Sequence, residues 1–208
     1  MTFVRVEHRL RWMQFIDGEN LAIRAKHVAR DSKRSIPLGP NYKPDCFYWP
    51  TRRGNQALTF YRGNMPLLED AALRAFYYTS VSGAEDDRLL VRDALKEIGF
   101  QPMVFKRGNR QRQNGGADKL GESIRSKQVD IQLATDVLSN AFRNNYDAAV
   151  LVAGDGDYVP LVEEVKRLGK LVYVFFFRNG LSSELLNAAD GFSDITEEFL
   201  KTLPNSPN

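Results

Sequence analysis

Asp155 and Asp157 lie two residues apart in the run Val150-Leu-Val-Ala-Gly-Asp-Gly-Asp-Tyr-Val-Pro160, where an apolar stretch gives way to alternating glycine and acid. The apolar part reads as a strand buried on both faces, so the acids fall at a tight strand-to-helix corner. Far upstream, Phe15-Ile-Asp-Gly-Glu-Asn20 has the same grammar: an apolar strand ending on Asp17, a glycine, then polar residues that open a helix. Between the two corners lies Lys127-Gln-Val-Asp-Ile-Gln-Leu-Ala-Thr-Asp136. Asp130 is read there as opening the helix that precedes the fourth strand. Asp136 follows six positions on, roughly 120° around a helix of 3.6 residues per turn, so the two cannot both point into one site. Asp130 is taken as the inward group and Asp136 as a peripheral one.

Carboxylates brought together repel one another, and burying them uncompensated is costly, so a cluster calls for a cation or shared protons. Magnesium or manganese suits oxygen ligands of this kind, polarises phosphoryl oxygens and activates water. The chemistry expected of Asp17, Asp130, Asp155 and Asp157 is therefore phosphodiester hydrolysis. Each acid also has a plainer reading: Asp157 as the N-cap of the helix that starts near Pro160, Asp130 as another cap, Asp136 as a solvated helix residue. Asp17 is harder to explain as a cap alone, because Gly18 and Asn20 build a polar corner directly behind an apolar strand.

The rest of the composition narrows the chemistry. The lone Cys46 excludes an intramolecular disulfide and a cysteine-cluster zinc site, and only His8 and His27 supply imidazole. Neither histidine has a serine or cysteine nucleophile motif beside it, so a triad hydrolase is set aside. A formal net charge of +3 permits a nucleic-acid partner without demonstrating one. No apolar run approaches the roughly 18 residues of a membrane span, and a soluble cytoplasmic protein with no membrane partner is the default expectation.

The elements that must position these acids alternate between strand and helix. Strands are expected at Trp12 to Ile16, Ala72 to Val81, Pro102 to Phe105, Asp147 to Ala153 and Leu171 to Phe177. Helices are expected at Asn20 to Arg30, Glu85 to Ile98, Val129 to Phe142, Tyr158 to Leu168, Ser182 to Ala189 and Thr196 to Leu203. A chain of 208 residues with 43% hydrophobic residues fits one domain, residues 1–203, with a frayed tail at 204–208. A Pro/Gly-punctuated insertion interrupts it at about 31–70. Alternation implies a parallel sheet covered on both faces, with ligands beyond the carboxyl ends of its strands at a switch point. If the first and fourth strands are neighbours there, Asp17 and Asp155 converge. Phe175 to Phe177 reads as core.

Two basic segments could seat a polyanion. Lys106 to Gly116 carries Lys106, Arg107, Arg110 and Arg112 and no acid. Read as a loop after the third strand, it hangs over the acid end of the sheet, where its cations would meet phosphates; a merely solvated loop fits its composition as well. In the insertion, Tyr48 and Trp49 stand beside Arg52 and Arg53, a mixture that stacks single-stranded bases and tracks their backbone. The rival reading is that the same aromatics pack the insertion onto the domain or form a homodimer contact.

Four ordered segments, Phe15 to Leu21, Lys127 to Asp136, Val150 to Pro160 and Ala189-Asp-Gly-Phe-Ser-Asp-Ile195, resemble the successive motifs of the NYN domain family, the PIN-like group that includes the bacterial LabA-like (DUF88) proteins. The resemblance covers residue 12 to about 195. It implies a three-layer PIN-like (Rossmann-like) α/β fold with a central, mostly parallel sheet flanked by helices, and a metal-dependent ribonuclease site. By motif it implies metal-binding roles for Asp17, Asp130, Asp155 and Asp157, with Asn20 and Asp136 in support. Gln128 stands where glycine is expected, and Ala153 where serine is common; neither change removes a carboxylate. The leading expectation is a Mg2+- or Mn2+-dependent ribonuclease acting on RNA, single-stranded by the basic and aromatic loops. A catalytically silent RNA-binding or regulatory module with the same fold is the alternative, and a metal-dependent phosphatase of small phosphoesters a weaker one.

Overall fold

The computed structural model describes residues 9–36, 72–107 and 119–203, the side chains of 119–127 and 202 excepted. Strand β1 (Trp12–Asp17) leads into α1 (Gly18–Asp31), then β2 (Arg74–Ser82), α2 (Glu85–Glu97), β3 (Gln101–Arg107) and α3 (Lys119–Phe142). The second half holds β4 (Ala148–Val152), a single 3-10 turn (Gly156–Tyr158), α4 (Val159–Arg167), β5 (Leu171–Phe176), α5 (Ser183–Ala188), β6 (Gly191–Asp194) and α6 (Thr196–Thr202). The strands form one sheet in the order β3-β2-β1-β4-β5-β6, and every pairing is parallel.

The adjacency of β1 and β4 expected from their acid tips is present, with Ile16 opposite Val152. Strand order reverses at this pair, which makes it the switch point of the sheet. Right-handed crossovers from β1 to β2 and β3 run one way, and those from β3 to β4 and β5 run the other. They put α1 and α2 on one face and α3 and α4 on the opposite one. On the latter face Phe15 stacks on Phe76 with ring centroids 5.4 Å apart, and Tyr146 packs edge-on to Phe15 while its hydroxyl donates to the Val137 carbonyl of α3.

Strands β1 and β4 are buried along their whole length, which is why both are largely apolar, with Gln14 the buried polar residue inside β1. Phe175, Phe176 and Phe177 are core, as expected. Among the described residues no helix is long and apolar enough to cross a membrane.

Several expected boundaries are corrected. Helix α3 begins ten residues before Val129, so Asp130 is interior to it and caps nothing. Strand β3 continues through Lys106 and Arg107, which pair with Val81 and Ser82 of β2 and are not loop residues. Strand β6 was not anticipated. Helix α1 extends to Asp31, the first residue assigned to the insertion. Residues 37–71, which hold most of that insertion, and the tail from Pro204 lie outside the described residues.

Candidate active site

Asp17 ends β1 and is at once the N-cap of α1: its backbone is extended, and its Oδ1 accepts the Asn20 N–H at 3.0 Å. Helix α1 can start so abruptly because Gly18 follows. A Cβ on Gly18 would lie 2.2 Å from the Tyr77 ring and 2.8 Å from the Tyr78 carbonyl oxygen, so only glycine lets the helix approach β2 this closely.

The β4 corner is built in the same way. A Cβ on Gly154 would meet the Phe176 ring at 2.4 Å and the Gly180 carbonyl at 2.6 Å. The Gly154 N–H donates to Asn20 Oδ1 at 3.0 Å, which fastens the two corners together. Asp155 then caps the 3-10 turn, its Oδ1 accepting the Asp157 N–H at 3.0 Å. Asp155 therefore holds the capping place expected of Asp157, whereas Asp157 lies inside the turn. Both are exposed at the carboxyl edge of the sheet. Pro160 falls in the first turn of α4, which has no side-chain cap.

Tyr158, the last residue of the turn, completes the arrangement. Its ring is buried, and its hydroxyl lies 3.0 Å from Asp17 Oδ2 and 3.1 Å from Asp130 Oδ1. A phenol carries one proton, so it can donate to one of these carboxylates and not to both. The other contact needs a proton on a carboxyl group, or a cation.

The electrostatics agree with this count. Burial, aided by the charges of Asp130 and Glu19 and opposed by the bonds from Asn20 and Tyr158, pushes the Asp17 carboxyl up to about 7. Partial burial raises Asp130 as well; the Tyr158 bond opposes the shift, and the charges of Glu19, Asp155 and Asp157 add to it. Tyr158 is driven far above its ordinary value by burial first and then by both aspartates, so it stays protonated. Five acids thus act on one small volume. Among the described residues no three of them close into a ready-made cation cage.

Asp136 looks elsewhere. Its Oδ2 accepts from the Tyr78 hydroxyl at 3.0 Å and its Oδ1 from Gln132 Nε2 at 3.0 Å, which ties α3 to β2 one strand from Asp17. Lys106 is exposed on β3. Arg107 is ion-paired, its Nη2 lying 3.0 Å from Glu19 Oε1, and its Nε donates to Ser80 Oγ at 2.7 Å. Arg110, Arg112, Tyr48, Trp49, Arg52 and Arg53 lie outside the described residues. Sequence reasoning passed over Tyr158 and Glu19. Both stood inside quoted motifs, and their polar groups beside the acids were the available signal.

A parallel sheet in this strand order, with acids gathered beyond the carboxyl ends of β1 and β4, is the architecture of a PIN-like domain. The NYN domain model matches residues 11–196, and the chain belongs to the NYN domain family, within the PIN-like nuclease superfamily. It is 36% identical over 76 residues to an uncharacterized protein of Methanocaldococcus jannaschii, a match spanning 36% of this chain and 32% of that protein. It is 25% identical over 137 residues to the Low amplitude and bright protein LabA of Synechococcus elongatus, spanning 66% and 69% of the two chains. A crystal structure of a protein of unknown function from Vibrio parahaemolyticus superposes with a TM-score of 0.57 at 21% identity, over 92% of this chain and 96% of that one. That likeness establishes the fold.

Proposed function

We propose that the protein is a Mg2+- or Mn2+-dependent ribonuclease that hydrolyses RNA phosphodiester bonds at the Asp17 corner. The observation that carries the reading is the Tyr158 hydroxyl lodged between Asp17 and Asp130, with one proton for two carboxylates. A site short of positive charge, lined by oxygen donors alone, fits a hard divalent cation. Asp17 and Asp130 would hold the cation, and the exposed Asp155 and Asp157 would turn inward to complete the ligand set. When bound, such an ion supplies the Lewis acidity for attack of water on phosphorus.

The remaining roles belong to the chain's own groups. Asn20 keeps the two acid-bearing corners in register through Gly154, so Asp17 and Asp155 stay on one side of the switch point. Tyr158 holds Asp17 and Asp130 facing each other. Asp136 fixes α3 on β2 through Tyr78 and so sets the height of Asp130 over the sheet. Lys106 and Arg107, at the same edge, together with Arg110 and Arg112, which follow in the sequence, are assigned to the strand's phosphates, and Tyr48, Trp49, Arg52 and Arg53 to its single-stranded bases.

The test is incubation of labelled single- and double-stranded RNA and DNA with the purified protein, with and without manganese, beside Asp17→Asn. Manganese-dependent cleavage of RNA that the variant lacks is expected. Binding of RNA without cleavage under any metal would replace this reading with a silent RNA-binding module.

A further inference from the structure

We propose that Ser80 and Arg107 form a phosphate-oxygen subsite beside the carboxylate centre, occupied by the Glu19 side chain, which a backbone phosphate of the nucleic acid displaces. The inference rests on the nuclease reading and extends it by naming where a phosphate next to the scissile one is held. Register places the subsite. Asp17 lies opposite Tyr78, Ser80 opposite Phe105 and Ser82 opposite Arg107. Alternation along the strands therefore puts Asp17, Ser80 and Arg107 on one face of the sheet. With strands about 4.8 Å apart, Ser80 stands one strand and Arg107 two strands from the β1 acid, at the same carboxyl edge.

The donors are those a phosphate oxygen needs. The Ser80 hydroxyl donates to Glu19 Oε1, Arg107 Nη2 approaches the same oxygen at 3.0 Å, and Arg107 Nε donates to Ser80 Oγ at 2.7 Å. A hydroxyl and a guanidinium converging on one anionic oxygen, with the hydroxyl itself steered by the guanidinium, is a phosphate-binding donor set. Glu19 fills it from within. The side chain of Arg107 keeps 39% of its exposure and that of Glu19 only 14%, so an incoming anion meets the arginine from the solvent side.

Glu19 is also an awkward resident. Its charge is one of those that raise both Asp17 and Asp130, so Arg107 is what compensates a carboxylate placed among other carboxylates. The plainer role for the contact is a strut between α1 and β3, and the experiment separates the two.

Equilibrium binding of a short labelled single-stranded RNA is measured by fluorescence anisotropy in chelator, where no cleavage intervenes, for wild type, Glu19→Gln, Arg107→Ala and the double variant. Glu19→Gln is expected to bind roughly fivefold to tenfold more tightly, the competition of one partly exposed, hydrogen-bonded ion pair. Arg107→Ala should bind more weakly, and the double variant should match Arg107→Ala. Glu19→Asp, which keeps the charge but falls short of Ser80, should shift affinity in the same direction as Glu19→Gln even if the latter is destabilised. An unchanged or weaker Glu19→Gln overturns the proposal. So does a gain that persists in the Arg107→Ala background, since removing any negative charge would produce it. RNA binding by none of the proteins overturns the nuclease reading and the subsite together. The predicted cycle without manganese-dependent cleavage removes the nuclease activity and leaves the subsite standing.

Discussion

Asp17→Asn should stabilise the metal-free protein, and by an amount that depends on pH. The Asp17 carboxyl has its ordinary value of 3.8 in the unfolded chain and about 7 in the fold, with burial the largest cause. A raised carboxyl means that the native state holds a proton the unfolded state has released, so stability is fully present below pH 4 and is lost as pH rises through 7. That interval corresponds to about 4 kcal/mol, an upper figure because Asp17 and Asp130 share the strain. Asparagine removes the titration and keeps the local geometry. It is as good an N-cap as aspartate, so Oδ1 still accepts from Asn20. Its Nδ2 can donate to the Tyr158 oxygen, which frees the single phenolic proton for Asp130.

The measurement is urea unfolding of chelator-stripped wild type and variant at a series of pH values from 4 to 8, comparing midpoints at constant slope. Titration of groups remote from the site is common to both proteins and cancels in the difference; Asp130, coupled to Asp17 through charge and the shared Tyr158 hydroxyl, adds a smaller contribution of its own. The two should be nearly equal at pH 4 and diverge by roughly 2–4 kcal/mol in favour of the variant by pH 8. A difference that is flat across the range, or a wild type that is the more stable at pH 8, would refute the claim that Asp17 is a strained buried acid.

Adding millimolar manganese or magnesium should reverse that order by raising the melting temperature of wild type alone, because a ligand confined to the native site stabilises by mass action; superimposable melting curves would count against a cation site. Asp155→Asn should abolish RNA cleavage with a melting temperature close to wild type, since asparagine still accepts the Asp157 N–H; wild-type turnover by this variant would remove Asp155 from the site. Gly154→Ala should cost roughly 1–3 kcal/mol in urea unfolding, because its Cβ would stand 2.6 Å from a backbone carbonyl that cannot swing aside. Changing Arg107, Arg110 and Arg112 together to alanine should weaken RNA binding and make its salt dependence shallower by roughly one unit of slope per lost phosphate contact, somewhat less on a single strand. An unchanged slope would leave the phosphates to other cations.

The central elements were legible because their physics is local. Strands β1 and β4 are buried on both faces, and such strands are written almost wholly in apolar residues, Gln14 being the exception within β1 before Asp17, so each acid-glycine corner stood out at the end of one. Helices α2 and α4 carry apolar faces that recur at helical spacing. Strand β6 lacks any comparable signal: Gly191-Phe-Ser-Asp194 is a short edge strand, and its backbone pairing with β5 holds it in the sheet with little burial of its own side chains. The first ten residues of α3 are mostly polar and include Gly121, with Leu120 and Ile124 as their large apolar residues, a weak helix signal. The denser apolar spacing starts at Val129 in the sequence, which is how Asp130 came to look like a cap. Lys106 and Arg107 looked like loop because of their charge. They remain strand because β2 runs alongside them and Glu19 and Ser80 receive the arginine.

The identity of the acids could be read from the chain, but their energetic state could not. Asp17, Asp130 and Tyr158 are contributed by a strand end, a helix interior and a 3-10 turn, and no spacing rule links a helix-interior aspartate to a tyrosine 28 residues further on. In the sequence Tyr158 is one more aromatic beside an apolar helix, and burial alone would make it core. Only when the three side chains meet does the proton count appear, and with it the reason a tyrosine suits this position better than phenylalanine. The hydroxyl gives one buried carboxylate and one partly exposed one a shared donor that falls short by one bond. A shortage of that size is tolerable to the fold and would be relieved by a carboxyl proton or by the proposed cation, so the same residue that holds the two acids together leaves the pair one positive charge short.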